Sequence, residues 1–594
     1  ASAYVSAHPQ LAQHVGVVLN FEARGSSGPV MMFETSDGNG WLIGQMAHAA
    51  PYPIASSLIY SIYKHMPNDT DLTVFKRAGL AGMNFAFAGT YQNYHTPLDT
   101  LAQLDPDSVQ HMGSYALALT RQFGNASFNE VAAPDQVYFN WLGKSMLHYP
   151  LWVAWALLLL AAVMWLLIAR VVTLRNKFNK ASLAIGFAGF FLTILAGMAG
   201  VAAVWWALHA WAGGRLLFGD TPSNEWIISG LVLVGVAMAL LVQRGLGVRR
   251  ISHEALLGTL LGFGVLSAVV SIALPGGSFL FEWPLLTALL GVGLAMLARR
   301  QHLSSCWAWL GALPVMLLFA PLLQNLLVTL GLNWVAVMVI ALLLGLACAV
   351  SAPLLARLAL GARWATPLLL LAAVSCLLMG LSQSHFSAAH PQRASLLYSI
   401  DADHGAAAWL SWDSHPNQWM QHLLGEASSP SKAPEFLLGS QTPVLSGPAL
   451  LLPLPAPQIS VRSQTTVDGV RTLDLHIVSP RQAPVLRLRL PASTRLQSLA
   501  WNHQAPLLLG DEATQAGAWQ LTYAGLPANG VDLRLRLLGS DPLECHVGDL
   551  SYGLPKYAGQ PDKQVMVVYG NAVMVGKRCK MLMMPPPFDG PATQ

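Results

Sequence analysis

Charged side chains are scarce in this chain of 594 residues, since Asp, Glu, Lys and Arg together make up only 10%. Soluble globular domains carry roughly a quarter of their residues as charges, so this shortage excludes an ordinary soluble enzyme, a disordered chain and a coiled coil. An excess of one charge sign is lacking too, because 33 basic residues face 29 acidic ones and the net charge is +4. Nucleic acid is therefore not expected as a partner.

Cysteine is also scarce, and five cysteines in a chain of this length do not form a disulfide framework. Three of them lie inside apolar runs and are expected to be small core residues: Cys306, Cys348 and Cys376. Cys545 and Cys579 lie in the polar C-terminal part and could pair if that part faces an oxidising compartment. Sequence alone does not give the geometry that a disulfide requires, so this pairing stays open.

Apolar residues are abundant, at 54% with a mean hydropathy of +0.47, and most of them lie between about 150 and 383. This middle block divides into about eight runs, each near the ~20 residues that a membrane-spanning helix needs. The runs cover roughly 150–171, 183–208, 225–243, 254–274, 280–298, 305–328, 334–356 and 364–383. Backbone groups in lipid must be hydrogen-bonded within the segment, so the sequence predicts an α-helical transmembrane bundle.

Basic residues concentrate in alternate loops of this block, and such loops stay on the cytoplasmic side of a membrane. The odd-numbered loops hold Arg170, Arg175, Lys177, Lys180, Arg244, Arg249, Arg250, Arg299, Arg300, Arg357 and Arg363, against Arg215 at most in the even ones. Both flanking regions are therefore predicted to be non-cytoplasmic, in a bacterial periplasm or in a vacuolar or endoplasmic reticulum lumen. Polar residues inside the runs are few and near their ends, which disfavours a transporter.

The C-terminal region alternates apolar and polar residues with a period of two. The clearest stretches are 472–478, 485–490 and 531–538, separated by Pro and Gly clusters. This pattern is typical of half-buried antiparallel strands and predicts an all-β, sandwich-like domain.

The N-terminal region mixes strand and helix patterns, which predicts an α/β domain with a mostly parallel sheet. Strands are expected at 15–23 and 83–88, helices at about 51–65 and 106–123, and a loop at 90–100. Glu22 ends the first strand, and His95 lies in the loop after the second. Ligands bind at the carboxyl ends of parallel strands, so these side chains are candidate metal ligands, although each alone is also typical of an ordinary surface residue.

Three strings in this region resemble the second half of the zinc peptidase domain of metallopeptidase family 28. They are NFEARGSSGP (20–29), NDTDLTVFKRAGLAGMNFAF (68–87) and NYHTPLDTL (93–101), in this order and spacing. The layout of the whole chain resembles the multi-spanning branch of that family, to which vacuolar membrane protease and endoplasmic reticulum metallopeptidase belong. The motifs themselves cover only about residues 15–125.

The resemblance implies a site with two zinc ions. Glu22 matches the acidic ligand that follows a strand, and His95 matches the last histidine ligand. Tyr94 matches a residue that stabilises the tetrahedral intermediate of peptide hydrolysis. Family members also use a His, a bridging Asp and a Glu–Glu pair, which would all precede residue 1. The chain is therefore expected to be truncated at its N-terminus and, taken alone, to be inactive.

Three further residues match positions at the margin of the family site. Asp71 matches a position that shapes the site. Asp99 would either orient His95 or cap the next turn. Arg24 would either meet a substrate carboxylate or form a structural ion pair.

The resemblance therefore predicts a partial zinc peptidase domain at 1–147, a transmembrane domain at 148–384 and an extracytoplasmic β-rich domain at 385–594. The predicted function is a membrane-anchored, zinc-dependent exopeptidase that hydrolyses peptides on the non-cytoplasmic side. The alternative is an inactive peptidase-like membrane scaffold or binding protein. The oligomeric state is not predicted.

Overall fold

The structure is a computed structural model, and it describes residues 1–581 with internal gaps. Outside the described residues lie 67–68, 129–130, 176–177, 213–223, 247–251, 298–300, 331–333, 361–363, 389, 414–415, 426–429, 432–442, 492, 503, 505, 509–518, 540–542 and 582–594. The chain forms two compact units, 1–385 and 386–594.

The N-terminal part of the first unit is a mixed α/β region, as predicted. Its elements are α1 (Ser2–Ala7), α2 (Leu11–His14), β1 (Val18–Ala23), β2 (Met31–Thr35), α3 (Gly40–Ala49), α4 (Ser57–Tyr63), α5 (Asp71–Arg77), β3 (Gly82–Phe87), α6 (Pro106–Gly124), β4 (Gln136–Trp141) and β5 (Ser145–Pro150). Helix α6 starts where the sequence predicts, because Pro106 has no amide hydrogen to lose and Asp105 accepts from the Asp107 amide at 3.2 Å.

The sheet of this region has the strand order β1-β3-β2. Strand β1 pairs with β3 in parallel, whereas β2 pairs with β3 in antiparallel orientation. The predicted mostly parallel sheet is therefore wrong in this region, since only one of its two pairings is parallel. The sequence pattern did not reveal β2, because its short run MMFET follows a Gly-Pro turn and carries no alternation.

One face of this sheet packs into an apolar core with α3 and α6. Met83 and Phe85 of the fully buried strand β3 meet Tyr115 and Leu119 of α6 there. Side chains alternate between the two faces of a strand, so the intervening residues of β1 and β3 lie on the opposite face. That second face carries the polar side chains of the candidate site.

The middle of the chain is helical, as predicted. The helices are α7 (Leu151–Arg175), α8 (Lys180–Ala212), α9 (Asn224–Gly245), α10 (His253–Ala273), α11 (Phe279–Leu297), α12 (Gln301–Leu330), α13 (Trp334–Leu360) and α14 (Ala365–Gln383). Among the described residues, six of them are long and apolar enough to cross a membrane, namely α7 to α11 and α14. Apolar helices in the middle of the chain are thereby confirmed, whereas their spanning of a membrane and the number of about eight stay predictions.

One basic loop residue is bound at the end of the helical bundle that lies away from the N-terminal region. Arg175, at the end of α7, donates to the backbone oxygen of Met296 near the end of α11 at 3.2 Å. Most of the other basic loop residues lie outside the described residues, namely Lys177, Arg215, Arg249, Arg250, Arg299, Arg300 and Arg363. The side chain of Arg357 is also outside the described part. At the opposite end, the short loop between α10 and α11 contacts the N-terminal region.

The N-terminal region packs directly on that end of the bundle. Ser57 Oγ donates to the backbone oxygen of Gly276 at 2.6 Å, and the ring of Phe139 stacks on that of Phe279 at 4.5 Å. Val137 and Leu58 lie in the same apolar cluster as the helices. These contacts explain why one compact unit holds both parts. The predicted limits 1–147 and 148–384 stay predictions.

The second unit is rich in β-structure, as predicted. It contains β6 (Gln392–Asp401), β7 (Ala406–Ser411), α15 (Gln418–Leu424), β8 (Pro430–Ser431), β9 (Val444–Pro448), β10 (Gln458–Val467), β11 (Val470–Val478), β12 (Val485–Leu490), β13 (Arg495–Trp501), β14 (Leu507–Leu508), β15 (Trp519–Ala524), β16 (Val531–Leu538), β17 (Leu543–Tyr552) and β18 (Val565–Met581). The three alternating stretches of the sequence are β11, β12 and β16.

These strands form two sheets, of five and eight strands. The five-stranded order is β10-β11-β16-β13-β14, and the eight-stranded order is β15-β12-β17-β18-β6-β7-β9-β8. Leu475 and Leu535 of the first sheet share an apolar cluster with Leu488 and Val547 of the second. The alternation in the sequence therefore corresponds to buried faces that meet in one core, while a sandwich-like architecture stays a prediction.

Candidate functional site

Glu22 lies at the penultimate position of β1, on the polar face of the N-terminal sheet. Phe21 packs into the apolar core on the other face, so Asn20 and Glu22 point away from that core. The Asn20 side-chain amide donates to Glu22 Oε1 at 2.7 Å. The carboxylate is therefore held by a neighbour two residues earlier on the same strand.

A row of polar side chains crosses the whole sheet from Glu22. Asn20 stands opposite Asn84 of β3 and donates to its Oδ1 at 3.0 Å. Asn84, which is fully buried, donates in turn to Glu34 Oε2 of β2 at 3.0 Å. Lys76 of α5 completes the row with an ion pair to Glu34 Oε1 at 2.9 Å. Buried polar groups need hydrogen-bond partners, and in this row each amide and each carboxylate bonds to the next side chain.

The loop after β1 is bound to the loop after β3 by backbone hydrogen bonds. Ser26 N donates to Gly89 O at 3.0 Å, and Gly89 N donates to Ser27 O at 2.8 Å. A Cβ atom added at Gly25 would lie 2.1 Å from Gly89 O, so only glycine permits this approach. The RGSSGP string therefore joins the carboxyl ends of the two parallel strands.

The second of these loops carries Tyr94 and His95. A 3-10 turn at Tyr91–Asn93 precedes them, and Asn93 donates to Ser26 Oγ at 2.8 Å, which fixes the turn against the first loop. His95 is exposed and has a φ of +57°, a left-handed conformation that is unusual for a residue other than glycine. Its ring stacks on that of Tyr94, with centroids 3.7 Å apart.

The structure thus places Glu22, near the end of β1, and the Tyr94–His95 pair, in the loop after β3, at the same edge of the sheet. A strained backbone at an exposed histidine is a feature that clusters at functional sites. Asp105, and not Asp99, caps the next helix, α6. Within the described residues, Asp99 makes no hydrogen bond to the His95 ring, and both its predicted roles, orienting His95 and capping the turn that follows, stay predictions.

Asp71 and Arg24 occupy the periphery. Asp71 opens α5, where a carboxylate is favourable beside the exposed amides of a helix N-terminus. Arg24 is exposed, and its backbone amide donates to Phe87 O at 2.9 Å. In the described part of the chain, its guanidinium forms no ion pair within 4.0 Å, so the structural ion pair is wrong there, while contact with a substrate stays a prediction.

Tyr63 of α4 lies near the carboxylates of Glu22 and Glu34, and the sequence did not predict it as a site residue. Burial raises the pKa of Tyr63 to about 12, and the nearby charges of Glu34, Glu22 and Asp69 add to the effect. Asn20, Asn84, Glu34 and Lys76 were missed as well. The one available signal was the Asn-x-Glu spacing in NFE, which puts two polar side chains on the same face of a strand.

The donor types at this edge suit zinc, which takes carboxylate oxygen and imidazole nitrogen. Their number is smaller than a complete site requires. Among the residues that the structure describes, no group of three or more His, Cys, Asp or Glu side chains could hold a metal ion. Glu22 and His95 are therefore at most part of a ligand set.

Comparisons with known proteins identify the family of the N-terminal region. Residues 1–120 match the model of peptidase family M28, so the N-terminal region is a peptidase family M28 domain. The predicted family is confirmed.

The relatives are a metallopeptidase of the endoplasmic reticulum and a vacuolar membrane protease by name. The chain is 30% identical over 154 residues to mouse endoplasmic reticulum metallopeptidase 1, and the match covers 25% of this chain and 17% of that protein. It is 33% identical over 145 residues to vacuolar membrane protease of Candida albicans, which covers 24% of this chain and 16% of that protein. The chain thus matches less than a fifth of the length of these two relatives.

Proposed function

We propose that this chain belongs to a membrane-anchored, zinc-dependent exopeptidase that cleaves peptides on the non-cytoplasmic side of a membrane. The observation that carries the proposal is the hydrogen bonding between the loop that follows Glu22 and the loop that carries Tyr94 and His95, within the M28 domain. The apolar helices and the names of the relatives support the membrane location.

Within this proposal, Glu22 and His95 bind zinc, and the remaining ligands and the general base come from outside the described residues. Zinc ions supply a lowered pKa for water and polarisation of the peptide carbonyl. The Asn20 amide keeps the Glu22 carboxylate oriented. The Tyr94 hydroxyl donates a hydrogen bond to the oxyanion that forms as the peptide bond is attacked.

The basic loops support the proposed orientation of the protein in the membrane. Arg175 and the start of α8 at Lys180 lie at the end of the bundle away from the N-terminal region. If basic loops stay in the cytoplasm, the M28 domain and the peptide substrate share the opposite compartment. Whether that compartment is periplasm, vacuole or endoplasmic reticulum lumen depends on the host.

The test uses the protein expressed from its complete reading frame. We expect His95→Ala to abolish hydrolysis of fluorogenic peptides without changing membrane insertion, whereas His65→Ala, a histidine at the end of α4, keeps activity. Peptides with blocked ends should resist cleavage if the enzyme is an exopeptidase. Normal turnover by His95→Ala would remove His95 from the site. An inactive wild type that binds no zinc would instead support the scaffold alternative.

A further inference from the structure

The two cysteines of the second unit face each other across adjacent strands. Strands β17 and β18 are antiparallel, and Cys545 stands directly opposite Cys579 in their register. Residues directly opposite in an antiparallel pair have Cα atoms about 4.5–5.5 Å apart, which lies within the range that a disulfide spans. Both cysteines are free thiols in the structure.

The two thiols have different environments. Cys545 is 1% exposed and lies in the apolar core between the sheets, beside Leu543 and Val547. Cys579 packs against the same core but stays partly exposed. An external reagent can therefore reach Cys579 before Cys545.

The pair lies where the sheet narrows to two strands. The pairing of β17 with β12 ends at His546, and the pairing of β18 with β6 ends at Gly576. In the described residues, only the β17–β18 ladder continues past these points, as far as Leu543 and Met581. A two-stranded ribbon is marginally stable by itself, so a covalent link at this position would hold the end of the sheet together.

The hydrogen bond between the two thiols favours a thiolate on the accessible cysteine. The hydrogen bond from the Cys545 thiol lowers the pKa of Cys579, and the Lys577 ammonium adds to this effect, while burial and the Asp403 carboxylate oppose it without reversing it. The same hydrogen bond and burial raise the pKa of Cys545. The thiolate is the nucleophile of thiol–disulfide exchange, so the more exposed partner is also the more reactive one.

We propose that Cys545 and Cys579 form a cross-strand disulfide, with Cys579 as the attacking residue and Cys545 as the resolving residue. The oxidant is a disulfide compound such as oxidised glutathione or a disulfide oxidoreductase. The Cys579 thiolate attacks one sulfur of the oxidant, which forms a mixed disulfide and releases one thiolate. Cys545 gives its proton to that thiolate and attacks the Cys579 sulfur, and the second half of the oxidant leaves.

Electrons and protons balance in this reaction. Two protein thiols lose two electrons and become one disulfide, while the oxidant disulfide gains them and becomes two thiols. The first thiolate that the oxidant releases takes its proton from Cys545. The second takes a proton from solvent, which replaces the one that Cys579 gave up when it ionised. The proposal is independent of peptidase activity, because it rests only on the strand register and the environment of the second unit.

The direct test uses the detergent-purified 594-residue chain, reduced, freed of reductant without oxygen and then treated with oxidised glutathione. After alkylation of the remaining thiols, non-reducing peptide mass spectrometry should find Cys545 linked to Cys579. The oxidised form should melt about 5–10 °C higher than the reduced form, because a disulfide restricts the unfolded chain. Recovery of both residues as alkylated thiols or as separate glutathione adducts would overturn the proposal.

Single variants test the order of reaction. Cys545→Ser should stop at a glutathione adduct on Cys579, whereas Cys579→Ser should leave Cys545 unmodified because it is buried. The control Cys376→Ser, in helix α14, should link the pair as the wild type does. A glutathione adduct on Cys545 of Cys579→Ser would contradict the assigned roles. A pair that links in the purified chain but stays reduced in cells would contradict the proposed topology and not the disulfide.

Discussion

Asn20 is the residue that connects the candidate ligand Glu22 to the rest of the fold. Its amide donates both to Glu22 Oε1 and to Asn84, whose own amide continues to Glu34. Partners of this kind fix the orientation of metal-binding side chains and raise metal affinity. The position of the Glu22 carboxylate thus depends on a side chain that itself binds no metal.

Replacing Asn20 by alanine should weaken both the fold and the site. The change leaves Asn84 and Glu22 without a donor, and a buried polar group without its partner costs about 1–3 kcal/mol. We expect the free energy of unfolding of the chain to fall by that amount in urea titrations. In the intact protein, zinc affinity should fall about 10–100-fold.

The control is Asn125→Ala, at an exposed asparagine that follows α6 and whose side chain, among the described residues, bonds only to the Arg121 carbonyl. This control should change the free energy of unfolding by less than about 0.5 kcal/mol. An Asn20→Ala variant that is as stable as this control, and that binds zinc as the wild type does, would show that the polar row has no role in holding Glu22.

At this scale the sequence predicted one end of the polar row, Glu22, and His95 in the neighbouring loop. Glu22 and His95 stand in recognisable strings, whereas Asn84, Glu34 and Lys76 come together only because β2 folds back beside β3. That antiparallel pairing has no signature in the sequence, so the partners of Asn20 could not be found from it. The left-handed backbone of His95 is likewise a product of the folded loop.

Among the elements, α4 makes a close contact between the M28 domain and the bundle, at the loop joining α10 to α11. Ser57 Oγ donates to Gly276 O at 2.6 Å and accepts from the Tyr138 amide at 3.1 Å. A Cβ atom at Gly276 would lie 2.4 Å from Ser61 Oγ and 2.6 Å from Ser57 O. The close approach therefore requires glycine in this loop.

Gly276→Ala should loosen this contact. The added methyl group must push α4 away, and forcing an extra methyl group into a packed contact costs about 1–3 kcal/mol. We expect a lower melting temperature and faster proteolysis of the segment before Leu151. The matched control is Gly264→Ala in α10, where the nearest atom to the new Cβ is 3.7 Å away. Equal proteolysis of both variants would contradict a rigid contact.

Element types were easier to predict than their partners. The β11, β12 and β16 stretches and helix α6 follow from alternation and capping residues. The β4–β5 hairpin was missed, because its strands pack on the helices and its residues Val137 and Phe139 read as ordinary apolar residues. Contact with another element, not local pattern, decides that structure.

On the scale of the whole molecule, the proposed site of peptide cleavage depends on which end of the bundle faces the cytoplasm. The M28 domain contacts the loop between α10 and α11, and Arg175 contacts the end of α11. These two observations put the M28 domain and Arg175 at opposite ends of the same helix. If basic loops lie on the cytoplasmic side, as we propose, the M28 domain lies outside the cytoplasm.

A reporter fused after Lys180 tests this orientation. We expect green fluorescent protein at that position to fluoresce, since it folds in the cytoplasm, and a periplasmic or lumenal enzyme reporter there to be inactive. The paired fusion after Gln383 should give the opposite result, because seven further spans separate the two positions if the predicted eight are present. Activity of the exported reporter after Lys180 would reverse the topology.

The most direct test of the central claim is the zinc content of the protein expressed from its complete reading frame. Elemental analysis should find two zinc ions per chain in the wild type and in His65→Ala, and a clear loss in Glu22→Gln and in His95→Ala. If both of these variants keep the zinc content of the wild type, Glu22 and His95 do not bind the metal and the proposed site is wrong.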